Sequence, residues 1–261
     1  MTDAGWLGQQ QVPEVSLRGS RYDGTPKRVA LIGKVACGLI LAVAAAEVLV
    51  VVLFWEATGL LEDALSRRVD PAVAYSDFLA VLELADSVDW AYWGSALVAA
   101  AVFVLWLWRA RQNSDLLSDG LHSRERGWVI GGWFVPIVSF WFPYQVVRDV
   151  WRASNPSAGV PRDLGPNGRS MPGSALIGWW WFWFLVASIS ATVSWRLYST
   201  EPGDTPVAAL QWLNTIALAD TVSAVAAVLA AACIAMITRQ ISGWQHALRD
   251  QPHDAESAPA S

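Results

Sequence analysis

Charge is scarce in this chain, and so are the residues that bind metals or form disulfides. Only 16% of residues are Asp, Glu, Lys or Arg against 54% apolar, a balance that fits a membrane protein better than a soluble domain. The two cysteines, Cys37 and Cys233, lie inside apolar segments with no CxxC pair, and the three histidines, His122, His246 and His253, stand far apart. This excludes a disulfide framework and a regularly spaced zinc centre, and it leaves the cysteines as small buried hydrophobes. A net charge of −5 lacks the basic stripe that nucleic-acid binding needs. There is no P-loop, nucleophile elbow, HExxH pair or Rossmann glycine pattern, so neither an enzyme core nor a cofactor is expected. No internal repeat is visible either, which removes one argument for an inverted-repeat transporter.

What is abundant is tryptophan, 17 residues of it, and long apolar runs. The run from Arg28 to Trp55 exceeds a core helix and suffices to cross a bilayer, for which roughly 20 apolar residues are needed. Ala44-Ala45-Ala46 faintly resembles a signal-peptide cleavage site. The apolar run continues through Val48 to Trp55, however, so an uncleaved anchor is expected. Four spans emerge: Ala30 to Phe54, Ala91 to Trp108, Ala175 to Tyr198, and Val207 to Ile237. In lipid all must be helical, and their alanines and glycines allow close helix approach. The expected fold is an all-α integral membrane bundle of four transmembrane helices with a cytoplasmic re-entrant or interfacial element. Residues 1–28 read as a flexible cytoplasmic tail, 29–249 as the membrane domain and 250–261 as a second tail. An acidic outer loop is expected over 56–89 and the cytoplasmic element over 127–154.

Orientation follows the basic residues. Arg18, Arg21, Lys27 and Arg28 precede the first span. Arg109, Arg111, Arg124, Arg126, Arg148, Arg152, Arg162 and Arg169 follow the second, and Arg239 and Arg249 follow the fourth. The other two connections hold only Arg67, Arg68 and Arg196, and the first is acidic. Both termini and the middle loop are therefore expected in the cytoplasm, with the protein multi-pass in the plasma membrane. Trp55, Trp90, Trp93, Trp195 and Trp212 then fall at outer ends, and Trp106, Trp108, Trp179 and Trp244 at inner ones, as an aromatic belt requires.

Gly127 to Val147 is apolar enough to suggest a fifth span. Pro136, Pro143 and Gly131-Gly132 oppose a continuous helix, and a fifth crossing would place the following arginines outside. An amphipathic helix is expected from Tyr144 to Ala153, with Val146, Val147, Val150 and Trp151 on one face and Gln145, Arg148, Asp149 and Arg152 on the other. Both tails and residues 155–173 read as linkers. In the outer loop, Asp70-Pro71 marks a helix start, with Phe78, Leu79, Leu82 and Ala85 giving a short apolar face.

One block of motifs stands out: Trp108-Arg109-Ala110-Arg111-Gln112-Asn113, Gly131-Gly132-Trp133-Phe134 with Pro136, Pro143-Tyr144-Gln145, Arg148-Asp149-Val150-Trp151-Arg152-Ala153-Ser154, and Trp179-Trp180-Trp181. This block resembles the domain-of-unknown-function family 4328, over roughly Trp90 to the end of the last span. Ser139 stands where such sequences usually carry Asn. The resemblance implies a multi-span membrane protein of actinobacterial type, and it implies no biochemical activity.

Ionisable groups inside spans are costly and so mark candidate sites. Lys34 lies close enough to the inner end of its span to snorkel. Glu47 and Asp220 are deeper, at similar depth in spans one and four. They either meet, sharing a proton or holding a cation, or each bonds separately to a neighbour such as Thr221, Ser194 or a tryptophan. Arg109, Arg111 and Asn113 suit anionic headgroups or a partner's carboxylates, or else simple topology anchoring. The run Trp179 to Phe184 is either a ligand-stacking wall or a surface packed on lipid and on the 127–147 element. Two functions follow, the first preferred. It is an interaction or scaffold protein docking a protein partner or lipid through Arg109, Arg111, Asn113, Trp133, Pro136, Pro143, Arg148 and Trp151. The other is a small proton- or cation-coupled transporter or channel using Glu47 and Asp220, in which homo-oligomers would build the pore.

Overall fold

A computed structural model of the chain describes residues 27–117, 125–155 and 172–249. The expectations that fall on Arg18, Arg21, His122, Arg124, Arg162, Arg169 and His253, and on most of the tails and linkers, lie outside these residues. Among the described residues every regular element is helical: α1 (Ala30–Ser66), α2 (Pro71–Leu117), α3 (Trp128–Phe134), a 3-10 turn (Val138–Phe140), α4 (Phe142–Ser154), α5 (Pro172–Tyr198) and α6 (Pro206–Arg249). Four of these, α1, α2, α5 and α6, are long and apolar enough to cross a membrane. They present residues such as Leu97, Ile189 and Val225 outward, as helices that face lipid must.

The helices outrun the apolar segments that define the spans. At 1.5 Å per residue, the 37 residues of α1 and the 47 of α2 measure about 55 and about 70 Å, roughly twice the hydrocarbon thickness. The loop expected over 56–89 is therefore mostly helix, and only residues 67–70 turn the chain. Acidic side chains end hydropathy but not helicity, because Glu, Leu and Ala remain good helix formers in water. Arg67 closes α1 in a left-handed conformation with φ 53°. Asp70 then caps α2, its Oδ1 accepting from the Ala72 N–H at 2.9 Å, with Pro71 in the first helical position. On the apolar face expected here, Phe78 and Ala85 are buried, while Leu79 is exposed.

α1 packs between α2 and α6, α5 packs on α6, and α2 and α5 are not packed along their length, though Tyr198 reaches Asp86 at one end. α6 is the central helix, burying 44% of its most apolar window against 17–22% for the others. Two apolar clusters form. One lies towards α4 and includes Trp106, Leu107, Val147, Val150, Ile237 and Ile241. The other lies towards the α1–α2 turn and includes Val50, Phe54, Ala57, Phe78, Ile216 and Ala217. Trp106, expected in the aromatic belt, is fully buried instead, its indole donating to Ser242 Oγ at 3.2 Å. Gly33 makes this approach possible: a Cβ there would meet Ser242 Oγ and Trp106 Nε1, each at 2.9 Å.

Gly127 to Val147 forms no continuous helix long enough to cross a membrane. The seven residues of α3 end near Pro136, the 3-10 turn follows, and the 13 residues of α4 start at Phe142. Val146, Val147, Val150 and Trp151 are buried as expected, but Asp149, expected on the polar face, is buried too. α4 touches α2, α3, α5 and α6, so its burial extends beyond one face.

Candidate functional site

A polar layer separates the two apolar clusters. Glu47 lies one turn before Val50 on α1, and Asp220 lies one turn after Ala217 on α6, with Ser223 a further turn along. α2 contributes Asp86, Asp89, Tyr92 and Trp93, and α5 contributes Ser194, Trp195 and Tyr198. Together these line a cavity of about 120 Å³ that holds Glu47, Asp86, Asp89 and Asp220 and is lined by no Lys, Arg or His. The carboxylates of α1 and α6 thus reach one cavity, and Glu47 also has a hydroxyl partner. Ser223 donates to Glu47 Oε1 at 2.5 Å, with the Ala187 carbonyl as a second acceptor at 3.2 Å. Ser194 lines the cavity together with Asp220. Thr221 is engaged elsewhere, accepting from the Trp55 indole at 2.9 Å. Tyr198 donates to Asp86 at 3.4 Å.

Glu47, Asp89 and Asp220 are half-buried and Asp86 is exposed, and carboxylates grouped in this way attract cations. Among the described residues, no group of three His, Cys, Asp or Glu side chains is placed to hold a metal ion. Tyr92, Trp93 and Trp195 add π-faces, which also favour cations. Glu47, Asp89, Tyr92, Trp93, Trp195 and Ser223 also line the upper part of a larger groove of about 800 Å³. This groove descends between α2 and α5 to Phe103, Trp133 and Trp180.

The sequence profile of the domain of unknown function DUF4328 matches residues 69–239, more than half of the chain. The chain belongs to the DUF4328 family. No curated protein and no solved structure matches it. The DUF4328 region carries Asp86, Asp89, Ser194, Asp220 and Ser223, whereas Glu47 comes from α1, which precedes it.

In this DUF4328 chain the candidate docking residues are largely internal. Arg111 is buried and pairs with Asp115 at 3.3 Å, and Arg126 Nε donates to the same carboxylate at 2.6 Å. Asn113 is buried as well. Its Nδ2 donates to the Lys27 carbonyl at 2.8 Å and to Gln245 Oε1 at 3.0 Å, and its Oδ1 accepts from the Lys27 N–H at 2.8 Å. Gln245 continues the network, donating to the Ala110 carbonyl at 3.0 Å and to Ser154 Oγ at 2.7 Å. Trp151 donates to Gln240 at 3.1 Å and meets the Trp244 ring edge-on at 5.3 Å. Pro143 is fully buried, Arg109, Arg148 and Trp133 are half-buried, and Pro136 is exposed. Trp133 packs edge-on against Phe103 and Phe184, with centroids at 6.2 and 6.0 Å.

The aromatic run on α5 divides by face. Trp179 and Phe182 point outward, while Trp180 and Trp181 are buried and Trp181 donates to the Phe140 carbonyl at 2.9 Å. Sequence reasoning missed Ser223 and Tyr92 as site residues, although each stands three positions after an acid on the same helix face. No local signal marks Gln245.

Proposed function

We propose that this membrane protein binds a cation within the bilayer at Glu47, Asp220 and the acids of α2, and that the site serves proton- or cation-coupled passage rather than enzymic turnover. The observation that supports this most is the single cavity shared by Glu47 and Asp220, with carboxylates on three helices and no basic residue among its lining. Desolvated carboxylates without a basic partner are costly, and an exchangeable cation offsets that cost. The arginine distribution supports a plasma-membrane orientation with both termini and the α3–α4 element in the cytoplasm.

The test is ion flux into liposomes carrying the purified full chain, read with pH- and potential-sensitive dyes. Asp220→Asn and Glu47→Gln should each lower flux at least about tenfold, the scale of losing one charged contact of about 1.4 kcal/mol. Flux that is absent from the native protein, or unchanged in both variants, would remove this reading.

A second reading, docking of lipid or a protein partner by the α3–α4 element, draws support from other residues than those first considered. Phe134, Ile137 and Phe140 are 78%, 72% and 55% exposed at the apex of the element. An apolar apex of this kind inserts into a headgroup boundary or a partner. Phe134→Ser with Ile137→Ser should weaken that contact, seen as lost quenching of nearby tryptophans by brominated lipid. Unchanged quenching, with no cross-linked protein partner lost either, counts against it.

A further inference from the structure

The acidic cavity and the large groove are continuous, and their chemistries are opposite. At the top stand Glu47 and Asp89 with the indoles of Trp93 and Trp195. Below, alanines on all four long helices leave the space open, and aromatic side chains line its lower part. The groove exists because α1 pairs with α2 and α5 with α6, while α2 and α5 meet at the Tyr198–Asp86 end and are not packed along their length. A gap between two helices at the depth of the hydrocarbon is reached sideways from lipid. From Asp89 to Phe103 along α2 it runs about 20 Å at 1.5 Å per residue, roughly two-thirds of a hydrocarbon core about 30 Å thick. Its volume of about 800 Å³ lies in the range of sites that engulf a whole small molecule, about 300–1,000 Å³.

We propose that cavity and groove together form one site for a long-chain amine, an amphiphile whose cationic head lies among Glu47, Asp89 and the indole faces and whose alkyl tail fills the groove between α2 and α5. This deepens the cation-site reading and rests on it. Charge complementarity selects the head. An anionic or phosphate-bearing head would meet carboxylates with no Lys, Arg or His among the lining residues. An ammonium head, in contrast, gains both ion pairing and cation–π contact. The apolar lining selects the tail. The carboxylates at one end fix the direction of entry, head towards the α1–α2 turn and tail towards Trp133.

The full chain in phosphatidylcholine nanodiscs is exposed to hexadecylamine bearing a diazirine in its chain, and to the matching alcohol and carboxylic acid, at equal mole fraction. Labelled residues are mapped by mass spectrometry. The amine should label residues 96–103 of α2 and 184–191 of α5 at least about tenfold more than the alcohol or the acid, a preference of about 1.4 kcal/mol. Glu47→Gln should erase that preference. Ala100→Trp, which fills the groove, should erase labelling there while the helical circular dichroism stays that of the native chain, and Ala187→Phe serves the same purpose should the first variant misfold.

Equal labelling by the alcohol means that ordinary lipid fills the groove, and overturns the proposal. Competition by ethylammonium as strong as by hexadecylamine shows that the tail adds nothing, and overturns it while leaving the cation site standing. Absence of both amine preference and ion flux removes the cation site as well.

Discussion

Asn113 shows how a single residue can be picked out correctly by position and misread in role. It follows two arginines at the end of a span, the setting of a headgroup contact, yet it is only 1% exposed and bonds to residues 86 and 132 positions away. Its partners come from the start of α1 and the end of α6, so nothing local reveals them. Removing either member of the Asn113–Gln245 pair orphans buried polar groups, at about 1–3 kcal/mol for each group. Asn113→Ala and Gln245→Ala should each lower the thermal midpoint in detergent, and the double variant should lose clearly less than their sum because the two residues share partners. Additive losses would show that the network is not coupled. Glu47 and Asp220 were easier to identify, since an acid inside an apolar run is conspicuous whatever surrounds it. Their convergence was not legible, because the pairing of α1 with α6 is written in no single segment.

At the scale of elements, hydropathy found the crossings and underestimated the helices. Apolar periodicity ends where water begins, but α1 and α2 continue through Glu56, Glu62, Asp77 and Glu83 as helix. This matters for the site, because the extension keeps Asp86 and Asp89 on the same rigid helix as Tyr92 and Trp93 instead of on a loop. α4 was the more legible element. Its valine face is the one that reaches the core, and the proline and glycine signals before it fall where the helix is broken. Val150 is fully buried among Trp106, Val147 and Ile237 in the cluster on which α4 docks. Val150→Asp should therefore release α4, at a cost on the order of 3 kcal/mol or more for an unpaired buried charge. Hydrogen exchange of residues 142–154 should quicken by more than tenfold, since about 1.4 kcal/mol already corresponds to a factor of ten. Arg152→Asp, on the exposed side of the same helix, should leave exchange unchanged; equal effects of the two variants would mean that α4 is not held by this face.

For the whole molecule, the decisive property is direction across the membrane, because a cation site has a working sense only when its two sides are known. The polar layer sits between the two apolar clusters, with the α1–α2 turn beyond one and α4 beyond the other. The two ends differ in charge. Arg109, Arg111, Arg126, Arg148 and Arg152 crowd the α4 end, while Glu62, Asp63, Asp70 and Asp77 mark the other. Basic segments stay on the cytoplasmic side during insertion, so the α4 end is expected inside and the acidic hairpin outside. In intact cells, with Cys37 and Cys233 replaced by Ala, a membrane-impermeant maleimide should label cysteine placed at exposed Ser66 or Asp204 and spare one placed at exposed Arg152 until the cells are opened. In that orientation the acids of α2 lie between the outer hairpin and Glu47 and Asp220, so the proposed site would draw its cation from outside along a negative surface. The reverse labelling pattern would turn the molecule over, leaving the bundle intact but making the cytoplasm the side from which the cavity fills.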